Sequence, residues 1–286
     1  MDGGFSNPSV KVPKMLKIGD YLLHALPVQE FFFDGQRLTG AAQQRSRSFS
    51  PIHLSTRLLL IVGNGRRILV DAGLGRCCAA SRWTEAALSP YGLYEQLSGF
   101  GLRPEDITDL ILTHLHTDHA GGAFFFDGLT LQPVFPNARV IVQEGNFRAA
   151  LRPGERERPS FDEGVIEALG ALPLLHIVSG AVELFPGIEL FVSNGHTRGQ
   201  QLVRVSDSDT LLLHGGDLVP TSAHYARSRV TGNDVDALTL IEEKSALLQE
   251  AFEKGGIMFF GHDPLRHAAT VFRASGGFAP GPAPEF

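Results

Sequence analysis

The chain has 286 residues, of which 43% are hydrophobic and 20% charged, a balance that supports a sizeable globular core. Its formal charge of −6 argues against nucleic acid as a partner, because phosphate binding wants a basic footprint. No charged-then-apolar leader pattern and no apolar run of membrane-spanning length occurs, so the expectation is a cytoplasmic protein with no membrane partner.

Residues 1–14 are polar and proline-containing and read as a loose arm ahead of a single domain over 15–274. Residues 17–26 read as a first strand. Phe31, Phe32 and Phe33 precede a polar stretch over 36–48, and such a triplet serves a core, a lid over a site or a homodimer contact. Residues 57–62 and 67–71 flank Asn64-Gly65, a strong hairpin signal. Asp71 ends the second strand in VDAGLG, and the adjacent Cys77 and Cys78 follow on a loop, where neighbouring thiols rarely form a structural disulfide. Residues 84–100 carry helical spacing with Thr84 as N-cap.

From 107 to 113 the chain is apolar and β-branched, as a buried strand should be, and it delivers THLHTDHAGG over 113–122. His114, His116, Asp118 and His119 thus crowd together at a strand end, and Gly121 and Gly122 let the backbone turn where side chains must converge. Imidazole and carboxylate together suit zinc or a similar first-row divalent ion. The bland alternative is a histidine-rich surface loop.

The second half begins with a strand at 139–142 and a helix at 144–151. RPGERERPS over 152–160 follows, and its charge run reads as a solvated face. Residues 161–169 look helical, and strands follow at 174–178, 182–184 and 189–192. Residues 203–205 and 211–213 flank a turn at Asp207-Ser208-Asp209. Residues 236–254 form a long amphipathic helix stopped by Gly255-Gly256. The tail, 275–286, is Gly/Pro-rich and reads as disordered. Three further ligand candidates each lie beside glycine after an apolar run: His196 in SNGHTRGQ, Asp217 in LLLHGGDL and His262 in MFFGHDP.

The order HxHxDH, then His, then Asp, then His, over roughly 15–270, resembles the metallo-β-lactamase-fold superfamily of metallo-hydrolases. The resemblance implies an α/β architecture, the αβ/βα four-layer sandwich, and two divalent metal ions, zinc being the expected pair. On it, His114, His116 and His196 hold one ion, Asp118, His119 and His262 the other, and Asp217 bridges them. Asp71 is then a supporting residue, not a ligand. A metal-bridging hydroxide is the implied nucleophile, and Asp118 passes a proton to the leaving group. His116 in place of glutamate disfavours the oxygen-reducing di-iron branch.

GGDLVPTSAHY together with FFGHDP is similar to the quorum-quenching lactonase branch, which opens acyl-homoserine lactones; the expected partner is therefore a small-molecule lactone or ester. The best-known lactonases carry a tyrosine three residues beyond the bridging aspartate, and here Pro220 stands in that place. His224 or Tyr225 could reach the pocket instead, with Thr221 and Ser222 as polar neighbours, against a bland reading of packing or exposure. His214 is either a supporting hydrogen-bond partner or a buried, satisfied histidine. Thioester and phosphotriester hydrolysis remain alternatives, as does a metal-stabilised binding protein. The thioester option is weakened because only Arg266 and Arg273 follow His262.

Overall fold

The computed structural model describes residues 15–34, 51–75, 91–284 and 286. The N-terminal arm, the polar stretch after the phenylalanine triplet, the cysteine pair and Thr84 lie outside these residues.

One seven-stranded sheet contains β1 (Leu16–Ile18), β2 (Tyr21–Asp34), β3 (Pro51–Gly63), β4 (Arg66–Val70) and β5 (Asp109–Ile111), and ends with β8 (Arg139–Gln143) and β9 (Leu175–Val178). Its first four strands form an antiparallel meander, and β4, β5, β8 and β9 run parallel. A small hairpin of β6 (Phe124–Phe126) and β7 (Leu131–Pro133) intervenes between β5 and β8. The second seven-stranded sheet runs in sequence order: β10 (Val182–Phe185), β11 (Ile188–Ser193), β12 (Gln200–Ser206), β13 (Leu211–His214), β14 (Ile257–Phe259), β15 (Ala268–Ala274) and β16 (Gly277–Pro280). Only β13 and β14 pair in parallel within it.

Strand periodicity explains why the central strands carry runs of consecutive apolar residues. Along β4, Ile68 and Val70 enter the core between the two sheets while Leu69 faces the outer layer. Along β13, Leu212 faces the inter-sheet core, and Leu211 and Leu213 face outward. A strand covered on both faces needs apolar side chains at every position. Outside the first sheet pack α1 (Leu93–Ser98), α3 (Glu144–Leu151) and α4 (Glu163–Gly170), which contribute Leu97, Ala150 and Leu169. Outside the second packs α5 (Ala237–Glu253), through Leu240, Leu247, Leu248 and Ala251. The result is the expected αβ/βα sandwich. No described helix is long and apolar enough to cross a membrane.

Local signals behave as their chemistry requires. Asn64 and Gly65 take φ of 50° and 73°, the geometry of a tight β3–β4 hairpin. Asp236 caps α5 by accepting from the backbone N–H groups of Leu238 and Thr239. Phe31 is buried with its ring 6.0 Å from that of His262, whereas exposed Phe32 stacks on His53.

Two elements differ from expectation. The first strand is two strands, because the chain folds back at Gly19, whose φ is 55° and whose N–H donates to Asp207. Within the expected disordered tail, Gly277–Pro280 instead pairs with β15, and Phe286 is buried against the rings of Phe259 and His267. Apolar anchors at Phe278 and Phe286 outweigh the Gly/Pro composition.

Candidate metal centre

The candidate ligands follow the C-terminal ends of β5 in the first sheet and of β11, β13 and β14 in the second, and those three second-sheet strands run the same way. Gln201 ties the sheets together at this end, donating from its backbone to Thr113 O and from Nε2 to the carbonyls of Leu112 and Ile141. After β5 the chain turns through α2 (Thr117–Ala120), with His116 at its N-cap position. A side chain at Gly122 would collide with the Ala72 carbonyl, so only glycine lets this turn pack beneath β4. Asn146 on α3 accepts from Leu115 N–H and donates to Arg198 O, joining the loops that carry His116 and His196.

These loops bring the side chains into two groups. In the first, His116 Nδ1 lies 3.1 Å from His114 Nε2 and 3.1 Å from His196 Nε2. The second holds Asp118, His119, Asp217 and His262, with the Nε2 atoms of His119 and His262 3.0 Å apart. Asp118 Oδ2 lies 3.6 Å from His262 Nε2. Asp217 reaches both groups: Oδ1 is 3.3 Å from His119 Nε2 and 3.2 Å from His262 Nε2, and Oδ2 is 3.4 Å from His196 Nε2. Although buried, Asp217 Oδ1 receives no hydrogen bond of good geometry. A cation between these donors would satisfy that oxygen, and the set of imidazoles and carboxylates suits zinc or a similar divalent ion.

Each imidazole is held by the nitrogen it turns away from its group. His119 Nδ1–H donates to Asp71 Oδ2 at 2.8 Å, and His196 Nδ1–H to Asp234 Oδ1 at 2.8 Å. His262 Nδ1–H donates to Ser55 O at 2.9 Å. His114 Nδ1 meets Thr113 Oγ1 at 3.1 Å, and that hydroxyl donates in turn to Asp71. His116 Nε2 faces Glu157 Oε1 at 3.2 Å. Such partners fix the tautomer and ring angle, and leave the inward nitrogen free to coordinate. Asp71 joins neither group of ligands and takes a φ of 63°, stabilised by bonds from Thr113 N–H and Oγ1.

Charge follows this geometry. Burial lowers the histidines, but Asp217 and Asp71 outweigh it at His119, whose imidazole rises well above its ordinary value. Burial likewise loses to Asp217 at His262, and to Asp217 and Asp234 at His196, and both are raised. His114, with no such carboxylate dominant, is driven well below its ordinary value by burial. Burial pushes Glu157 up, but the bonds from His116 and Thr197 win and hold its carboxyl below the ordinary value. The His262, His119 and His196 charges overcome burial at Asp217 and hold it well below the usual carboxylate range.

Several sequence expectations need correction. The charged run over 152–160 is not wholly a solvated face, because the Glu157 side chain is only 11% exposed and bonds His116 and Thr197. Tyr225 does not face the site: it is buried against Phe260, and its hydroxyl donates to Ala269 O at 3.2 Å. Ser222 is tied to Asp263 through both its N–H and its hydroxyl. His224 is half-buried, bonds Thr221 Oγ1 through Nδ1 at 2.8 Å, and is pushed down by burial, then Lys244, to about 4. His214 is fully buried, and its Nδ1 accepts from Gly216 N–H while Nε2 finds no partner among the described residues. Glu157, Asp234 and Asn146 were not anticipated, since nothing near them in sequence marks their closeness to the candidate ligands; Thr113 opens the histidine motif, but its bonds to Asp71 and His114 were not read from it.

This fold and donor arrangement define a metallo-hydrolase scaffold, and the chain belongs to the metallo-beta-lactamase superfamily, whose family profile matches residues 54–262. It is similar to an N-acyl homoserine lactonase of a Bacillus species, 29% identical over 172 residues, which covers 58% of this chain and 60% of the relative's length. The N-acyl homoserine lactonase AiiB of Agrobacterium fabrum is 27% identical over 277 residues, covering 90% of this chain and 96% of that one. Among solved structures, a probable metal-dependent hydrolase from Staphylococcus aureus superposes with a TM-score of 0.79 at 25% identity, covering 89% of this chain and 94% of that one. The dizinc quorum-quenching lactonase AidC shares the fold, with a TM-score of 0.79 at 19% identity over 94% of this chain and 97% of its own.

Proposed function

We propose that this chain is a dinuclear metal-dependent hydrolase that opens a lactone or ester, an acyl-homoserine lactone being the favoured substrate. The observation that carries this reading is Asp217, whose two carboxylate oxygens each face a different group of ligands. The curated relatives named as N-acyl homoserine lactonases support the substrate class.

In this reading His114, His116 and His196 would hold one ion, Asp118, His119 and His262 the other, and Asp217 would serve both. When bound, the pair of ions supplies a water that ionises near neutral pH and a field that polarises the scissile carbonyl. Asp118, whose side chain is 18% exposed and so the most open member of its group, would take the proton that the attacking water loses and pass it to the leaving alkoxide as the ring C–O bond breaks. His224 stays neutral at neutral pH; with Thr221 Oγ1 donating to its Nδ1, its Nε2–H would be left to donate to a substrate carbonyl, the role Pro220 cannot fill. A glutathione-type thioester is disfavoured, because Arg273 already donates to Gln249 and lies over the rings of Phe252 and Phe278.

The test is metal content together with ring-opening followed by pH-stat, using a short and a long acyl-homoserine lactone. Two ions per chain with fast opening of either lactone is the expected outcome. Two ions with turnover only of linear esters, thioesters or phosphotriesters would keep the hydrolase and discard the lactone. Two ions and no turnover of any would favour a metal-stabilised binding protein.

A further inference from the structure

The braces that orient the histidines come from two kinds of place. Asp71, Ser55 and Thr113 belong to strands of the first sheet or to the residues that directly follow them. Glu157 instead belongs to a charged loop between α3 and α4. Its Oε1 accepts from His116 Nε2 at 3.2 Å and from the hydroxyl of Thr197, the residue after His196. One carboxylate oxygen therefore fastens two of the three histidines of the first group, one directly and the other through its neighbour.

The rest of the loop extends the same fastening. Arg156 donates to Gly232 O at 2.7 Å, reaching the segment that carries Asp234 and hence the brace on His196. Ser160 O accepts from Thr117 Oγ1 at 2.9 Å, beside His116. Phe161 is buried with its ring edge-on to His116 at 5.0 Å. Among the described residues, the second group is braced from elsewhere: His119 and His262 rest on Asp71 and on the Ser55 carbonyl.

We propose that residues 153–161 form a strap over the three-histidine pocket, with Glu157 as a positioning residue that sets that pocket's metal affinity and leaves the other pocket's unchanged. The inference rests on the dinuclear reading above but not on any substrate. By accepting from Nε2–H, Glu157 commits the His116 proton to the outer nitrogen and keeps Nδ1 as a lone pair directed at the ion. By holding Thr197 as well, it fixes the separation between the His116 and His196 loops. Losing it frees both, and partners of this kind are worth about 10–100-fold in metal affinity.

The experiment is zinc titration of the full-length, metal-stripped protein against a chromophoric chelator, repeated with cobalt so that the absorption spectrum reports the donor set. In E157Q and E157A, one of the two binding steps should weaken by about 10–100-fold while the other stays within about 2-fold. R156A releases the strap without removing any partner of a histidine, and should weaken the same step by a smaller factor. Thermal unfolding of the metal-free variants checks that each folds. Equal weakening of both steps, or of neither, in folded E157Q and R156A would overturn the strap. Wild-type protein that binds fewer than two ions would overturn the dinuclear reading, and the strap with it.

Discussion

The two groups of ligands sit within one cluster but are supported differently. The Asp118–His119–His262 group is braced from the strands: Asp71 at the end of β4 holds His119, and a β3 carbonyl holds His262. The three-histidine group leans on loops for two of its rings, with Glu157 holding His116 and Asp234 holding His196. Strand ends are fixed by ladders on both sides, whereas loops open at lower free-energy cost. Two groups of candidate ligands that look alike thus rest on supports of different rigidity, and metal affinity should respond accordingly.

The largest effect should come from the residue common to both groups. D217A removes oxygens that face His119, His262 and His196 at once. Hydrolysis should fall by more than about 100-fold, beyond the loss typical of a supporting partner, and metal content should drop below two ions per chain by elemental analysis. Unchanged turnover would remove Asp217 from the role of shared ligand and collapse the two groups into independent sites.

Next in size is D71N, which strikes the strand-braced half. Asn keeps an acceptor for Thr113 N–H and tolerates the φ of 63°, but loses the charged acceptor for His119. Affinity of the second pocket should fall by about 10–100-fold, and the metal-free protein should lose about 1–3 kcal/mol in denaturant unfolding because buried donors lose partners. D234N strikes the loop-braced half in the same way. It should weaken the three-histidine pocket over a similar range, with a smaller loss of metal-free stability than D71N. If the two variants cost the same stability, the distinction between strand and loop support fails.

How much of this was legible in the sequence follows the same division. Four candidate ligands crowd one motif after an apolar strand run and three more each follow a glycine at a strand end, so His114, His116, Asp118, His119, His196, Asp217 and His262 could all be named, and the structure brings them together. The layers were legible too, since runs of consecutive apolar residues within strands need cover on both faces. The braces were not. Glu157 lies 41 residues from His116 and Asp234 lies 38 from His196, with no periodic pattern to link them. Glu157 looks like any other member of a charged run until tertiary packing buries it. Tyr225 was misplaced for a related reason: a tyrosine near a site in sequence presents a polar tip, but here the ring fills the core under α5 and the hydroxyl finds a β15 carbonyl.

The smallest effect at neutral pH is the one that examines the loops most directly. His214 on β13 and His224 on the segment after Pro220 are both pushed down to about 4, in each case by burial first. An unfolded imidazole titrates near 6.5 and binds a proton that the folded ring refuses, so stability is lost as pH falls from 6.5 toward 4. For fully buried His214 this amounts to roughly 3 to 4 kcal/mol at most, at about 1.4 kcal/mol per pH unit, and H214Q should flatten the acid limb of the unfolding profile. His224 is only half-buried and sits on a short 3-10 turn, so its shift persists only while that segment stays packed. NMR titration of the metal-free protein separates the cases. A His224 midpoint close to 4 means the loops beside the site hold as firmly as the strands. A midpoint near 6.5, with His214 still depressed, means that the loop side opens on its own and that the difference between the two halves reaches to the substrate edge.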